Sequence, residues 1–295
     1  MIASKQPIAG EDVARHYDEL DAFYREVWGE HVHHGLWLRG DESQPLAVRQ
    51  LVELVAREAA IQQGSRVIDI GCGYGATARM LVEDLGAKVT AITISAAQHA
   101  IAVARDPRGD NPQFLLGDWL ANELADETFA AAISIESSEH MPDKPRFFSE
   151  SNRVLCPGGR LIVCAWLAAE QPSARQERWL IEPICREGRM PHLGSESDYR
   201  RLASEAGFTV ERMQDVTRQI ARTWPMIVRT FLLKLLHQPA YIRFILDRHA
   251  HNRMFALTTL RLWIAFRTGA MRYGIFTLRK SAAGKKGFAS PRGSQ

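Results

Sequence analysis

From residue 66 onward the apolar positions fall into two alternating rhythms. Short runs of strand length, β-branched in part, recur at 66–71, 88–93, 113–118, 129–136 and 159–166. Between them, 76–85, 96–105 and 144–155 place apolar residues at helical spacing. That alternation predicts a parallel sheet covered by helices on both faces. The string CPGGR at 156–160 predicts a turn feeding the fifth strand. Residues 195–207 predict a capped helix, opened by a Ser/Glu pair and closed by Gly207. The runs 208–216 and 273–279 predict a sixth and a seventh strand. The expected fold class is therefore α/β: a Rossmann-like, seven-stranded, mostly parallel sheet with helices on both faces.

The remaining chain divides around that core. Residues 1–65 predict an N-terminal helical cap, 66–217 the core, 218–272 a helical insertion, 273–280 the final strand, and 281–295 a disordered tail. The insertion is too long for an ordinary connection, and it is apolar, aromatic and basic. Pro225 and Pro239 punctuate it into three helices. It is expected over the ligand edge of the sheet as a substrate wall; the alternative is a purely structural cap. Its aromatics Trp224, Phe231, Tyr241, Phe244, Phe255, Trp263 and Phe266 suit a long apolar substrate, cation–π contacts, or simply the core.

Composition adds less. Hydrophobic residues make up 46% and charged residues 24%, an ordinary soluble balance. The length, 295 residues, suits one large domain or one with an insertion. Cys72, Cys156, Cys164 and Cys185 form no C-x-x-C pair, which argues against a zinc site or disulfide framework and for a reducing, cytoplasmic setting. The opening MIASKQPIAGEDVARHYDEL lacks the apolar core of a secretory signal, and no run is long enough to span a membrane as a helix. There are no internal repeats. The net charge of +3 hides an asymmetry: residues 1–211 carry 21 Lys and Arg against 32 Asp and Glu, whereas 212–280 carry 13 against Asp215 and Asp247 alone. Such a split bears on partners. It suits an anionic substrate or an anionic membrane surface, or a basic segment packed on the acidic body. No nucleic-acid-binding motif accompanies it, and oligomerisation stays open.

The richest chemistry lies in VIDIGCGYGATA, residues 67–78. An apolar strand carrying Asp69 runs into Gly71, Gly73 and Gly75, and a helical pattern follows. Alternate glycines let the chain turn sharply and let a ligand approach the backbone. The helix amides favour electron-rich ligand atoms, while the acid favours a cationic one. Acid plus glycines suits S-adenosylmethionine (SAM), whose tail carries an ammonium beside a sulfonium. A dinucleotide is the rival, since Gly71, Gly73 and Ala76 satisfy G-x-G-x-x-G/A. Against it, Asp69 has no use beside a pyrophosphate, and the second strand ends on Thr93 instead of a ribose-binding acid. In open α/β sheets ligands bind outside the carboxyl ends of the strands. Those ends supply the remaining cofactor candidates: Cys72, Thr93, Ile94, Ser95, Gly117, Asp118, Trp119 and Glu136, with Ser137, Ser138, Glu139, His140 and Met141 just beyond. Asp118 is placed to accept an adenine amino proton, or to cap a helix, and Trp119 to stack on the ring.

These segments together resemble a class I SAM-dependent methyltransferase, in particular the gamma-tocopherol methyltransferase group. The resemblance rests on 17–37 (YDELDAFYREVWGEHVHHGLW), 67–78, 89–98 (VTAITISAAQ), 117–120 (GDWL), 134–144 (SIESSEHMPDK), 153–166 (RVLCPGGRLIVCAW) and 221–225 (ARTWP). It implies SAM as cofactor, ribose-side contacts from Ser95 and Gln98, and methylation of a carbon, or in some members a nitrogen, of a hydrophobic natural product. Ser138 stands where that group tends to carry glycine, no apolar transit segment precedes Tyr17, and the basic insertion is the least family-like part.

Methyl transfer needs alignment, exclusion of water and, for a carbon nucleophile, a base. Glu136, Glu139 and His140 are the candidate catalytic residues, with a loop-holding hydrogen-bonded pair as the alternative for the last two. His31, His33 and His34 form a second cluster in the segment expected to close the pocket; no further ligand has matching spacing, so no metal is expected. Tyr17 either contacts the SAM carboxylate or packs as a helix aromatic. The first reading is methylation of an isoprenoid, a prenylated phenol or quinol, or an isoprenyl diphosphate. Behind it stand a cyclopropane-synthase-like lipid enzyme, a nicotinamide-dependent dehydrogenase and a non-catalytic scaffold.

Overall fold

The computed structural model describes residues 1–106, 109–237 and 255–281, without the side chains of 255–257. Expectations for Pro239, Tyr241, Phe244, the Phe255 ring and the tail beyond 281 lie outside the described residues. One seven-stranded sheet forms the core. Its strands are β2 (Arg66–Ile70), β3 (Lys88–Thr93), β4 (Gln113–Leu116), β5 (Phe129–Ile135), β6 (Leu155–Ala168), β8 (Phe208–Asp215) and β9 (Met271–Lys280), in the spatial order β4-β3-β2-β5-β6-β9-β8. The first five pair in parallel, and β9 runs antiparallel to both β6 and β8. Val67, Ile68, Ile70 and Ala131–Ile133 are sealed on both faces, which is why their sequence reads as unbroken apolar runs. Strand order reverses between β2 and β5, so a ligand crevice opens at their carboxyl ends.

The helices α4 (Ala76–Leu85), α5 (Ala96–Ala104) and α6 (Lys144–Val154) connect the parallel strands, and α9 (Glu196–Glu205) starts at Ser195, whose hydroxyl accepts from the Asp198 amide. The reciprocal capping partner is the Asp198 carboxylate rather than a glutamate. The fifth strand is longer than expected. Leu155 pairs with Phe129 and Arg160 with Ala131, so CPGG is an excursion inside β6 instead of a turn before it. Gly158 takes φ +77°, and a Cβ at Gly159 would sit 2.9 Å from the Cys156 carbonyl.

Two features carried no signal in the hydrophobic pattern. β1 (Ile2–Ala3) pairs with β7 (His192–Leu193), tying the N-terminus to the stretch after β6. That stretch holds α7 (Ala174–Gln176), a π-helical turn at Glu177–Ile181, and α8 (Glu182–Glu187), which buries Ile184 and Cys185. The N-terminal cap consists of α1 (Gly10–Glu19), α2 (Asp21–Val27) and α3 (Gln44–Glu58). Between β8 and β9 come α10 (Thr217–Ile220), α11 (Thr223–His237) and α12 (Phe255–Arg267). Pro225 falls in the first turn of α11, where its missing N–H breaks no bond, so the helix begins before it. Trp224, Ile227, Leu262 and Phe266 face inward, while Leu232, Leu236, Leu260 and Ile264 face out. Among the described residues no helix is long and apolar enough to cross a membrane.

Candidate active site

At the carboxyl ends of β2, β3 and β5 lies a cavity. Tyr17, Asp69, Gly71, Cys72, Gly73, Thr93, Ile94, Gln98, Gly117, Asp118, Trp119 and Glu136 all border it. The glycine turn is sterically specified. Gly71 and Gly75 take φ +78° and +74°, and a Cβ on either would come 2.3 Å from the Ser137 Cβ or the Phe114 ring. Gly73 points the other way: within 4 Å a Cβ there would meet only the Gln98 amide nitrogen, at 4.0 Å, so a ligand can lie against its backbone. Asp69 is buried, and one of its carboxylate oxygens has no hydrogen-bond partner. Burial pushes its pKa up to about 7. An orphaned acid beside an open glycine turn fits the ammonium and methionine tail of SAM, and it mismatches a pyrophosphate.

Three expected contacts are placed differently. Ser95 is fully buried and does not border the cavity. Its hydroxyl accepts from the Gln98 amide as the N-cap of α5 and donates to Asp18 at 2.5 Å, so cap chemistry consumes it. Thr93 instead donates to the Gln98 side-chain oxygen at 2.9 Å and fixes that amide at the cavity edge. Trp119 is only 2% exposed, and its indole N–H reaches the Phe147 carbonyl. The short turn after β4 swings the ring into the core. Asp118 caps that turn through one oxygen, accepting from the Leu120 amide. Its other oxygen lies toward Gly10, another cavity residue.

A second chamber adjoins the first and shares Tyr17, Val32, Glu136 and His140 with it. Its other walls are Tyr24, Trp28, Glu139, Trp166, Ile184, Gly188, Met190, Trp224, Thr258 and Leu262. Most of these were not candidates from sequence. Tyr17, Tyr24 and Trp28 at helical intervals were the available signal; Ile184, Gly188 and Met190 had none.

Hydrogen bonds fix the proton positions at the junction. His140 Nδ1 lies 3.1 Å from the Arg189 carbonyl, an acceptor only, so this nitrogen carries the proton. Nε2 of the neutral ring then accepts from the Tyr17 hydroxyl at 2.9 Å. Burial holds the His140 pKa down to about 4, so the ring is a neutral base. Burial, followed by Glu139 and Glu136, raises the Tyr17 phenol well above its ordinary value. Glu139 accepts from the Trp166 amide and from the Ser138 hydroxyl. Burial pushes its carboxyl up and pushes the nearby Lys144 ammonium down. Ser138 also bonds the Tyr199 hydroxyl at 2.9 Å, which gives the serine at this position a structural use.

Glu136 is occupied on every side. It takes φ +53° and receives the His34 amide (2.7 Å), His34 Nδ1 (2.9 Å), Trp166 Nε1 (3.0 Å) and the Tyr273 hydroxyl (2.8 Å). Burial alone raises its carboxyl, but the His34 imidazole and its hydrogen bonds outweigh this and hold it below the usual range. A carboxylate this saturated has no lone pair left for a substrate proton, so the expected catalytic role gives way to a positioning one. His33 donates from Nδ1 to the His34 carbonyl and accepts at Nε2 from His31. Burial lowers both imidazoles, His31 to about 3. Among the described residues no group of three or more His, Cys, Asp or Glu is set to hold a metal ion.

The sequence profile of the mycolic acid cyclopropane synthetase family matches residues 4–255. The chain is 28% identical to a chloroplastic tocopherol O-methyltransferase of Arabidopsis thaliana over 294 residues, covering 91% of this chain and 81% of the relative. It is 28% identical to the 2-methyl-6-phytyl-1,4-hydroquinone methyltransferase of Synechocystis, covering 93% and 89%. Its fold superposes on the cyclopropane synthase MmaA2 of Mycobacterium tuberculosis with a TM-score of 0.79 at 22% identity, over 94% of this chain and all of the other.

Proposed function

On the premise that this chain belongs to the mycolic acid cyclopropane synthetase family and is a SAM-dependent methyltransferase, we propose that it methylates a hydrophobic small molecule of the isoprenoid or prenylated phenol and quinol class, in natural-product biosynthesis and in the cytoplasm. The observation that carries this reading is the pairing of cavities: a glycine-cradled one with an orphaned acid, joined through Tyr17 and His140 to an aromatic-walled one. When bound, SAM supplies an electrophilic methyl group. Asp69 would hold its ammonium, Gly73 would lie against its tail, and Gln98 and Asp118 would take the ribose and adenine sides. The second chamber would seat the acceptor and exclude water. Tyr17, which donates to His140, would take the proton the acceptor gives up as it passes its own to Nε2 of the neutral imidazole. Glu136 would hold the His31–His34 segment closed over both cavities.

Within this reading, α11 and α12 wall the acceptor through Trp224, Thr258 and Leu262. The same helices turn Leu232, Leu236, Leu260 and Ile264 outward beside Arg229 and Arg267, and neither α11 nor α12 carries an acid. That face suits an anionic bilayer from which an apolar acceptor enters. A cyclopropane-type lipid reaction is the second reading, favoured by the family profile itself. One experiment separates them. Methyl-labelled SAM is incubated with prenyl quinols, phenols, prenyl diphosphates and anionic phospholipid vesicles, and the label is located. Label in the quinols or phenols is expected; label confined to phospholipid chains sinks the first reading.

A further inference from the structure

The turn between α8 and β7 is held more tightly than a connection requires. Arg189 takes φ +54°, a left-handed conformation that is costly for a residue with a Cβ. Its local cause is the end of α8. The chain bends back so that the Met190 amide donates to the Cys185 carbonyl at 2.8 Å, a closure whose left-handed residue is usually glycine. Two further clamps hold the bend. On one side the Ser4 amide donates to the Pro191 carbonyl at 2.9 Å, and Ile2 and Ala3 pair with Leu193 and His192. On the other, the Ala168 amide of β6 donates to the Gly194 carbonyl at 2.9 Å. A strained residue persists where its surroundings over-determine it, and such residues gather at functional sites.

The bend delivers a carbonyl to the reaction centre. The Arg189 C=O lies 3.1 Å from His140 Nδ1, and its neighbours Gly188 and Met190 stand in the wall of the second chamber. Nδ1 matters because of what it leaves at the other nitrogen. A neutral imidazole carries one proton. With that proton on Nδ1, the Nε2 lone pair faces the Tyr17 hydroxyl at 2.9 Å. With it on Nε2, two lone pairs would meet at Arg189, and Tyr17 would have nowhere to pass its proton. Burial lowers the His140 pKa, and the bond to the Arg189 carbonyl is the foremost influence opposing it. Lys144 and Glu136, the charges acting on the ring, pull in opposite directions. The same carbonyl that selects the tautomer therefore also steadies the imidazolium formed when Nε2 takes a proton.

We propose that Arg189 is a positioning residue acting through its backbone: β1 and the end of α8 clamp its carbonyl against His140 Nδ1, and this keeps Nε2 open to the Tyr17 proton. The proposal rests on the proton route from Tyr17 to His140 and supplies what holds that route in place. It gives the short N-terminal strand, far from the cofactor turn in sequence, a part in the chemistry. It also assigns the role to the conformation of residue 189 and not to its guanidinium.

The test reads the tautomer directly. The full chain, isotope-labelled at histidine nitrogen and loaded with S-adenosylhomocysteine, is observed by long-range proton–nitrogen correlation, with His140→Gln identifying the ring by its missing signals. Turnover is followed in parallel with a prenyl hydroquinone as acceptor. The native ring is expected to show the Nδ1–H signature. Arg189→Gly removes the side chain and suits the left-handed backbone, so signature and kcat are expected to stay native. Arg189→Val places a β-branched residue there; a mixed tautomer and a kcat lower by about tenfold are expected, the worth of one hydrogen bond. Ser4→Pro, which deletes only the amide that holds Pro191, is expected to shift the signature the same way and lower kcat about threefold, while Ser4→Ala stays native. The heat of S-adenosylhomocysteine binding confirms that each variant is folded. An Nε2–H signature in the native chain overturns the proposal. So does Arg189→Gly losing as much as Arg189→Val, or a native signature in either Arg189→Val or Ser4→Pro. A native chain that keeps the signature but binds no S-adenosylhomocysteine strikes the methyltransferase reading instead, and the tautomers of the variants still decide the clamp.

Discussion

The cavity at the glycine turn, proposed to hold the cofactor, and the aromatic-walled chamber, proposed to hold the acceptor, share the wall formed by Tyr17, Val32, Glu136 and His140, yet they are built on different plans. The first is assembled from strand ends, where backbone geometry dictates side-chain placement: Asp69 to Gly73 after β2, Thr93 to Gln98 after β3, Gly117 to Trp119 after β4. The second is assembled mainly from α1, α2, β6, the α8 region, α11 and α12, each contributing one to three residues, together with Val32 and the turn after β5. A site of the first kind survives as a local motif, because one turn must be right. One of the second kind exists only after the chain has folded. It can therefore be re-specified residue by residue without disturbing the cofactor, and substrate identity can drift there.

The largest test of that division falls on the shared wall. His140→Ala should lower kcat about a thousandfold, the scale of a lost general base, while S-adenosylhomocysteine affinity stays near native in calorimetry. Because burial holds His140 down to about 4, native kcat should show no fall assignable to this ring between pH 8 and pH 5. A Kd for the cofactor that rises as steeply as kcat falls would show the two cavities to be one unit. The next test strikes the cofactor side alone. Asp69→Ala should weaken cofactor binding about a hundredfold, as expected for a buried charge-assisted bond, and leave acceptor affinity untouched. In the native chain the Asp69 carboxyl, raised by burial to about 7, must ionise to pair with an ammonium. Binding should accordingly weaken about tenfold from pH 8 to pH 6 and release protons at the lower pH, which calorimetry in buffers of different ionisation enthalpy measures. Titrating the same variant with a prenyl quinol shows whether the loss stays on its own side of the wall.

Legibility in the sequence follows the same line. The positions of β2, β3 and β5 were readable because strands buried on both faces leave short, largely apolar runs. The cofactor turn was readable because Gly71 and Gly75 admit no Cβ and Asp69 has no local partner. Ser95 was misassigned because a helix N-cap and a ribose contact use the same hydroxyl, and only the position of Asp18 decides between them. Trp119 was misassigned because a strand-end aromatic can turn either way, and α6 supplies the carbonyl that turns it inward. The β1–β7 pair and the wall at Ile184 to Met190 were invisible, since two-residue strands and a π-helical turn carry no periodicity. Glu136 borders both cavities, but its hydrogen bonds do not fit the acid–base role its sequence position suggests. Its spacing from Glu139 suggests a second acid at the reaction centre, whereas its partners come from residues 34, 166 and 273, which no window around it contains.

The smallest expected effect is the one that tests what joins the two plans. Glu136→Gln keeps the shape but presents an amide N–H₂ to donors already aimed at a carboxylate, so at least one of the His34, Trp166 and Tyr273 bonds must open. A cost of about 2 kcal/mol in folding stability is expected, read as a lower denaturant midpoint at unchanged slope. The pH dependence of that cost fixes its origin. The Glu136 carboxyl is held below the usual carboxylate range, so its contribution is complete above about pH 4.5 and is lost as pH falls through the lower folded value. The gap between native and Glu136→Gln should therefore be constant from pH 8 to pH 5 and close below about pH 4. The buried His31 ring, held low by burial, His33 and Arg79 and not by Glu136, costs stability in acid in both proteins and cancels in the difference. A gap that is already closing at pH 6 would mean that the histidines, and not the carboxylate, carry the coupling. In that case the lid over both cavities is held by the neutral state of its imidazoles, and Glu136 merely fills the space they leave.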